Sequence, residues 1–449
     1  MTATDRAEAG RALRRGVPRS AHGDWSASAN RRAPIEVLEE QGLTRLPELA
    51  PVRYGRMATS PFAFFRGSAA VMAMDLAATP TTGLRVQACG DAHVANFGKF
   101  ATPERNLVFD LNDFDETLPG PWEWDVKRLA ASLYIVARER GFSPSSCAQV
   151  VAAACGTYRD RLRRAAPMQT LELWYERIEV GDVLAHFPAR YRANVRRDIR
   201  RARRRDHARA IAKLTTRVNG RRRFLENPPL LVHLEDTEND WYEVAPVLMQ
   251  YRATLRDDRQ VLLDRFRVVD IARKVVGVGS VGTRCWVALL EGRDNPQDDC
   301  IIIQVKEAQA SVLEPYAGAS TFDHHGRRVV AGQRLTQAAS DMFLGWAEGP
   351  NTGHQYYLRQ MWDAKGSSDT TRMSLGNLTY YGTLCAWALA RSHARTGDPV
   401  AISNYLGRGN QFDRALARFA RSYCATNAGD HAALVDAIAA GRVKARTEL

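Results

Sequence analysis

Asp91, Asn96 and Asp110 are of the types, and at the spacing, that phosphoryl-transfer chemistry uses. Asp91 lies in Cys89-Gly90-Asp91-Ala92-His93-Val94-Ala95-Asn96, and Asp110 ends the apolar run Leu107-Val108-Phe109 ahead of Leu111-Asn112-Asp113. Moving a phosphoryl group calls for a carboxylate to orient the attacking oxygen. It also calls for an amide oxygen and a second carboxylate to hold a divalent cation against the phosphates. Asp91 is the candidate base, and Asn96 and Asp110 are the candidate Mg²⁺ ligands. His93 among these carboxylates also suits a metal-dependent hydrolase.

A second cluster lies far downstream. Gly277-Val278-Gly279-Ser280-Val281-Gly282 separates the apolar stretch Val268–Val276 from Cys285–Leu290, and Ile301-Ile302-Ile303-Gln304-Val305-Lys306 follows. A strand rather than a helix is expected after Gly282, which excludes a dinucleotide fingerprint. Hairpin turns use glycine in any case. The glycines gain meaning from Lys306, two strands on. A loop bare of side chains lets backbone N–H groups approach phosphates, and a strand lysine adds a point charge to the α- and β-phosphates.

These residues need elements to hold them. Leu84–Cys89 alternates like a strand, and Asn106–Phe109 reads as another, so Asp91 and Asn96 are expected on the loop between two strands. Helical periodicity runs over Val126–Arg164, Val329–Asp341 and Leu378–Thr396, with a strand at Tyr356–Met361. The reading predicts a helical lead-in over 1–50 and a mostly helical unit over 51–265. A β-rich nucleotide-binding unit over 266–373 and closing helices over 374–449 complete it.

With 45% hydrophobic and 25% charged residues among 449, a globular chain is expected. No run reaches the roughly 20 apolar residues of a membrane span, and Met1–Arg6 does not open a secretory signal. Seven cysteines without zinc or disulfide spacing fit a cytoplasmic setting. The net charge of +13 concentrates over Arg190–Arg223, expected to be helical and solvated. It lacks the interleaved aromatics that stack nucleic-acid bases.

Several motifs together resemble the bacterial family called domain of unknown function 2252. They are Arg53–Met57, Pro61–Gly67, Cys89–His93, Phe109–Thr117, Trp122–Ala130, Gly277–Arg284 and Gln304–Ala308. That family is similar to the protein-kinase-like and aminoglycoside-phosphotransferase superfamily. The resemblance implies an α+β, two-lobed protein-kinase-like fold binding ATP and Mg²⁺ between its lobes. Ordinary kinases place the glycine loop, lysine and hinge before the catalytic and metal aspartates. Here the order is reversed, which implies a circular permutation with the catalytic-loop segment ahead of the small β lobe.

By resemblance Asp91 is the base, Asn96 and Asp110 hold metal, and Lys306 binds phosphates beneath Gly277–Gly282. Gln360 and Met361 then form the hinge where adenine rests. The helix Val329–Asp341 should carry a carboxylate for the lysine, yet Ala331 stands there, with Glu314 and Gln333 as substitutes. The implied function is transfer of phosphoryl to an unidentified small-molecule or protein acceptor. The alternative is a nucleotide-binding pseudokinase or adenylyltransferase-like protein with a basic face for RNA or protein. A metal-dependent hydrolase is the third reading.

Overall fold

The computed structural model describes residues 1–181, 183, 207–233, 239–294, 299–361 and 369–446. The chain is mixed α+β. In its front half β1 (Arg85–Ala88) pairs antiparallel with β4 (Leu118–Pro121), and β2 (Phe97–Ala101) with β3 (Leu107–Leu111). Asp91 and Asn96 therefore lie between β1 and β2. The expected loop from Cys89 to Asn106 is shorter because Phe97–Ala101 forms a strand of its own.

A hairpin of β5 (Thr215–Val218) and β6 (Arg221–Phe224) precedes the main sheet. Arg221–Arg223 are thus extended rather than helical, and residues 190–206 of the basic stretch lie outside the described residues. The main sheet is six-stranded and antiparallel, in the order β11-β12-β10-β9-β8-β7. Its strands are β7 (Leu231–His233), β8 (Phe266–Lys274), β9 (Cys285–Gly292), β10 (Cys300–Glu307), β11 (Gly345–Glu348) and β12 (Gln355–Gln360).

Every residue of β9 and β10 is buried. The apolar runs Cys285–Leu290 and Ile301–Ile303 explain why these two strands take central places: both faces of each are covered. Gly277 (φ 66°) and Gly282 (φ 91°) close the β8–β9 connection at each end in the left-handed region that glycine enters without steric penalty. Val244, Val247 and Tyr251 of the helix Asn239–Arg252 pack on Trp286, Ile303 and Tyr356 of the sheet. The β-rich unit accordingly takes in β7 and this helix, ahead of the boundary expected at 266.

The helical body is built from Trp122–Glu139, Pro144–Ala165, Leu375–Thr396 and Gln411–Ala439, whose Leu133, Val151, Leu389 and Leu416 share one core. The expected continuous helix Val126–Arg164 breaks at Gly141 (φ 77°). Ser143 then caps the next helix, its Oγ accepting from the Ser146 N–H at 3.2 Å. The helix expected over Val329–Asp341 runs instead over His325–Thr336.

One buried ion pair ties β3 to this body. Arg391 Nη2 donates to both Asp110 carboxylate oxygens, at 2.8 and 2.7 Å, and to the Thr336 carbonyl at 2.7 Å. The Ala338 N–H donates to Asp110 Oδ2 at 2.8 Å, and both charged side chains are wholly inaccessible. Removing one partner of such a pair leaves a buried charge uncompensated. Asp110→Ala is expected to lower unfolding free energy by about 3–5 kcal/mol, read by urea denaturation. A change under about 1 kcal/mol would show that the pair does not anchor β3.

Candidate functional site

Gly90 sets the direction of the Asp91 loop. Its φ is 83°, and a Cβ there would collide with the Glu116 carbonyl. The first turn of the helix Trp122–Glu139 holds the loop from beneath. Asp125 accepts from the Cys89 N–H at 2.6 Å and the Gly90 N–H at 3.0 Å. His393 backs Asp125 at 3.2 Å and is itself 2.7 Å from the Tyr158 hydroxyl. One turn further on, Arg128 Nε donates to Asp91 Oδ1 at 2.8 Å while its guanidinium lies 3.8 Å from the Phe65 ring centre.

Asn96 Nδ2 donates to the Asp91 carbonyl at 2.8 Å, and the Asn96 Oδ1 has no hydrogen-bond donor among the described residues. His93 Nδ1 accepts from the Ala95 N–H at 3.2 Å. Burial pushes the Asp91 carboxyl above its usual range, with Arg128 and Arg66 opposing. Burial, reinforced by Arg66 and Arg128, holds the His93 imidazole well below its ordinary value, so it is neutral at pH 7. Asp91 is thus a poised carboxylate fixed at one oxygen.

Lys306 comes from β10 and meets the acidic segment from the other half. Its ammonium donates to Asp115 and lies 4.0 Å from Asp113. Asp115 also accepts from the Tyr357 hydroxyl at 2.8 Å and the Ser280 hydroxyl at 3.2 Å. Burial drives the Asp115 carboxyl up, but the Lys306 ammonium and the Tyr357 hydroxyl outweigh it and pull it down to about 2. Burial opposes the charge on Lys306, and Asp113 and Asp115 more than restore it.

The helix His325–Thr336 supplies no carboxylate to this lysine. It contributes Arg328, which donates to the carbonyls of Thr117, Asp115 and Gln309 at 2.5, 2.8 and 2.8 Å. Glu314 instead accepts from the Ser311 N–H and Gln333 donates to Gln337. The acid that pairs with Lys306 is Asp115.

Both halves wall one cavity of about 170 Å³. Asp91, His93, Asn96, Asp113, Asp115 and Glu116 line it from the front half. Gly277, Val278, Gly279 and Ser280 line it from the glycine loop, with Arg45 and Arg66 between. The loop is pinned by arginines. Arg45 Nη1 donates to the Gly279 and Val281 carbonyls at 2.7 and 2.6 Å, and Arg56 to that of Gly277 at 2.6 Å. Val281 is buried against Leu49 and Val52, and the Gly282 carbonyl accepts from the Leu46 N–H at 2.8 Å. Burial pushes the Glu116 carboxyl up to about 7.

Six expected site residues do not line the cavity: Lys306 bonds Asp115 without lining it, Val281 and Gly282 are the pinned far end of the loop, and Asp110, Gln360 and Met361 lie elsewhere. Asp110 does not line the cavity, because its carboxylate is consumed inside the core by Arg391 and two backbone N–H groups. Gln360 opens onto a separate cavity of about 70 Å³ beside Gln333 and Arg359. Met361 is buried among Ala272, Val287 and Ile302, and residues 362–368 after it lie outside the described residues.

A model of the family described as an uncharacterised protein conserved in bacteria, DUF2252, matches residues 45–437. The chain belongs to the DUF2252 family. No curated protein and no solved structure matches it. The matched span takes in every residue that lines this cavity except Gln41.

Among the described residues of this DUF2252 protein, no three His, Cys, Asp or Glu side chains stand close enough to hold a metal unaided. Asp91, Asn96, Asp113 and Asp115 nonetheless put oxygen donors around one space. That suits Mg²⁺, which takes one or two carboxylates and completes its shell with phosphate and water. Sequence reasoning missed Asp115 as the lysine's partner and Arg128 as the clamp on Asp91. Their signals were present, in Asp113-Phe114-Asp115 and in an arginine one turn into the helix after Asp125.

Gly83 (φ 79°) has open space around its missing Cβ, whereas Gly90 does not. Gly83→Ala is expected to lose about 1–2 kcal/mol from backbone strain alone. Gly90→Ala should lose a further ~1–3 kcal/mol from forced displacement of the Glu116 segment. Urea denaturation of the two variants checks this; equal losses would mean that the close approach at Gly90 is not tight.

Proposed function

We propose that this DUF2252 protein is an ATP- and Mg²⁺-dependent phosphotransferase with a circularly permuted kinase-like arrangement. The observation that carries the reading is the shared cavity, where a glycine loop faces an acidic loop from a distant part of the chain and one of its acids, Asp115, is bonded by the strand lysine Lys306. Asp91 orients the acceptor hydroxyl and takes its proton through the oxygen that Arg128 leaves open. Burial makes that carboxylate more basic than one in water, which suits proton abstraction near neutral pH. Lys306 exchanges Asp115 for phosphate oxygens, and Asp115 and Asp113 become oxygen donors beside Asn96. Magnesium would neutralise charge across the phosphates.

The permutation is supported by the position of the helix Leu375–Thr396. Its Thr396 hydroxyl accepts the Gln87 N–H at 3.1 Å, so the helix abuts the strand that leads into Asp91. Nucleotide sites commonly measure about 300–1,000 Å³. The present cavity is smaller, so entry requires the glycine loop to lift and the Arg45 and Arg56 bonds to break. A nucleotide-binding scaffold without turnover is the second reading, favoured by Ala331 where a carboxylate is expected.

Calorimetric titration with Mg²⁺–ATP, followed by ³¹P spectra of the same mixture, tests the proposal. ADP with inorganic phosphate, water standing in for the acceptor, is the expected outcome; release of pyrophosphate would indicate adenylyl transfer instead. Asp91→Asn should retain nucleotide affinity within about two-fold and lose roughly 10²–10⁴ in turnover. ATP that is bound but never consumed by the wild type would favour the scaffold reading, and absence of binding would end both.

A further inference from the structure

The cavity holds one cationic side chain that has nothing to do within the fold. Arg66 lines it, is half-buried, and makes no side-chain hydrogen bond or ion pair among the described residues. Its Nε is inaccessible and unpartnered. Three acids at the cavity have cations of their own: Asp91 has Arg128, Asp115 has Lys306, and Glu307 has Arg284 at 3.3 Å. Asp91 and Asp113 act on Arg66 only at a distance.

Arg66 is also rigidly mounted, at the C-terminal end of the short helix Pro61–Gly67. The Phe62 N–H donates to Glu139 at 2.5 Å, Asn427 donates to the Pro61 carbonyl at 2.9 Å, and Arg128 Nη2 donates to the Phe65 carbonyl at 2.6 Å. The Arg66 carbonyl lies under the glycine loop, 3.1 Å from where a Gly279 Cβ would stand. The side chain therefore springs from an anchored backbone into the cavity that the glycine loop and Asp91 share. A buried Nε–H without an acceptor is unfavourable, and the planar fork of a guanidinium matches phosphate oxygens.

We propose that Arg66 is the phosphate-recognition residue of this cavity, binding the oxygens of a phosphate group next to Asp91. The inference rests on the phosphotransferase reading for the identity of the reaction, and it narrows the ligand class to phosphate-bearing molecules. Two sources share this chemistry: the terminal phosphate of the nucleotide, and a phosphate on the acceptor.

Calorimetry with inorganic phosphate, ATP and ADP on the wild type, Arg66→Gln and Arg66→Lys separates the outcomes. Wild type is expected to bind inorganic phosphate, and Arg66→Gln to bind it at least ten-fold more weakly, with Arg66→Lys between them. If the nucleotide is the source, Arg66→Gln erases the preference for ATP over ADP. If the acceptor is the source, Arg66→Gln leaves both nucleotides unchanged and loses only the phosphate bound alongside saturating ADP. Equal phosphate affinity in the wild type and both variants, or no phosphate binding by the wild type, overturns the proposal. Should Arg66→Gln fail to fold, Arg66→Lys carries the same comparison through its lost fork. Because the readout is equilibrium binding, a protein that binds phosphate through Arg66 yet never consumes ATP keeps this inference and loses the phosphotransferase.

Discussion

A lysine at position 306 places an ammonium within a central strand whose residues are all buried, only 2% of it accessible. Taking such a charge out of water costs several kcal/mol unless a counter-charge and hydrogen bonds replace the water. Asp115 supplies the counter-charge, from a segment 191 residues earlier in the chain. The pair obliges the acidic segment after β3 to lie against the sheet. Tyr357 and Ser280 then complete the carboxylate's hydrogen bonds, which brings the glycine loop over the same point. The shape of the cavity follows from satisfying one buried amine.

Much of the surrounding structure supplies hydrogen-bond donors to buried carboxylates. Arg128 holds Asp91 while stacking on Phe65, and Asp125 spends its oxygens on the Cys89 and Gly90 N–H groups. Among the described residues Glu116 has no such cation in direct contact, and it accepts the Val312 N–H at 2.8 Å; burial raises its carboxyl to about 7. The result is a cavity with carboxylates of graded acidity, from Asp115 near 2 to Glu116 near 7. Such separation of pKa values is what assigns different proton-transfer roles to chemically identical groups.

The β8–glycine loop–β9–β10 succession was legible because it is local. Apolar runs bounded by Gly277 and Gly282 specify adjacent antiparallel strands, and residue counting then puts Lys306 late in the third. Asp91 and Asn96 were legible for the same reason, as one short loop after an alternating strand. Asp110 was misread because the sequence shows an acid at the end of an apolar run and not which way it faces. Its partner Arg391 stands 281 residues away. The choice of Asp115 over an acid near Ala331 is likewise a long-range matter: the two candidates differ only in which segment folds back over β10. Helix ends slipped where glycine and proline intervened, at Gly141 and Pro144, and β7 escaped notice because three residues carry too little alternation to read.

The central claim is that Lys306 and Asp115 are energetically coupled across the two halves of the chain. A double-mutant cycle of Lys306→Met, Asp115→Asn and the combined variant, followed by urea denaturation, measures that coupling directly. The account predicts that each single substitution loses about 3–5 kcal/mol and that the double variant loses less than the sum by at least ~1 kcal/mol. Strict additivity of the two losses would contradict it.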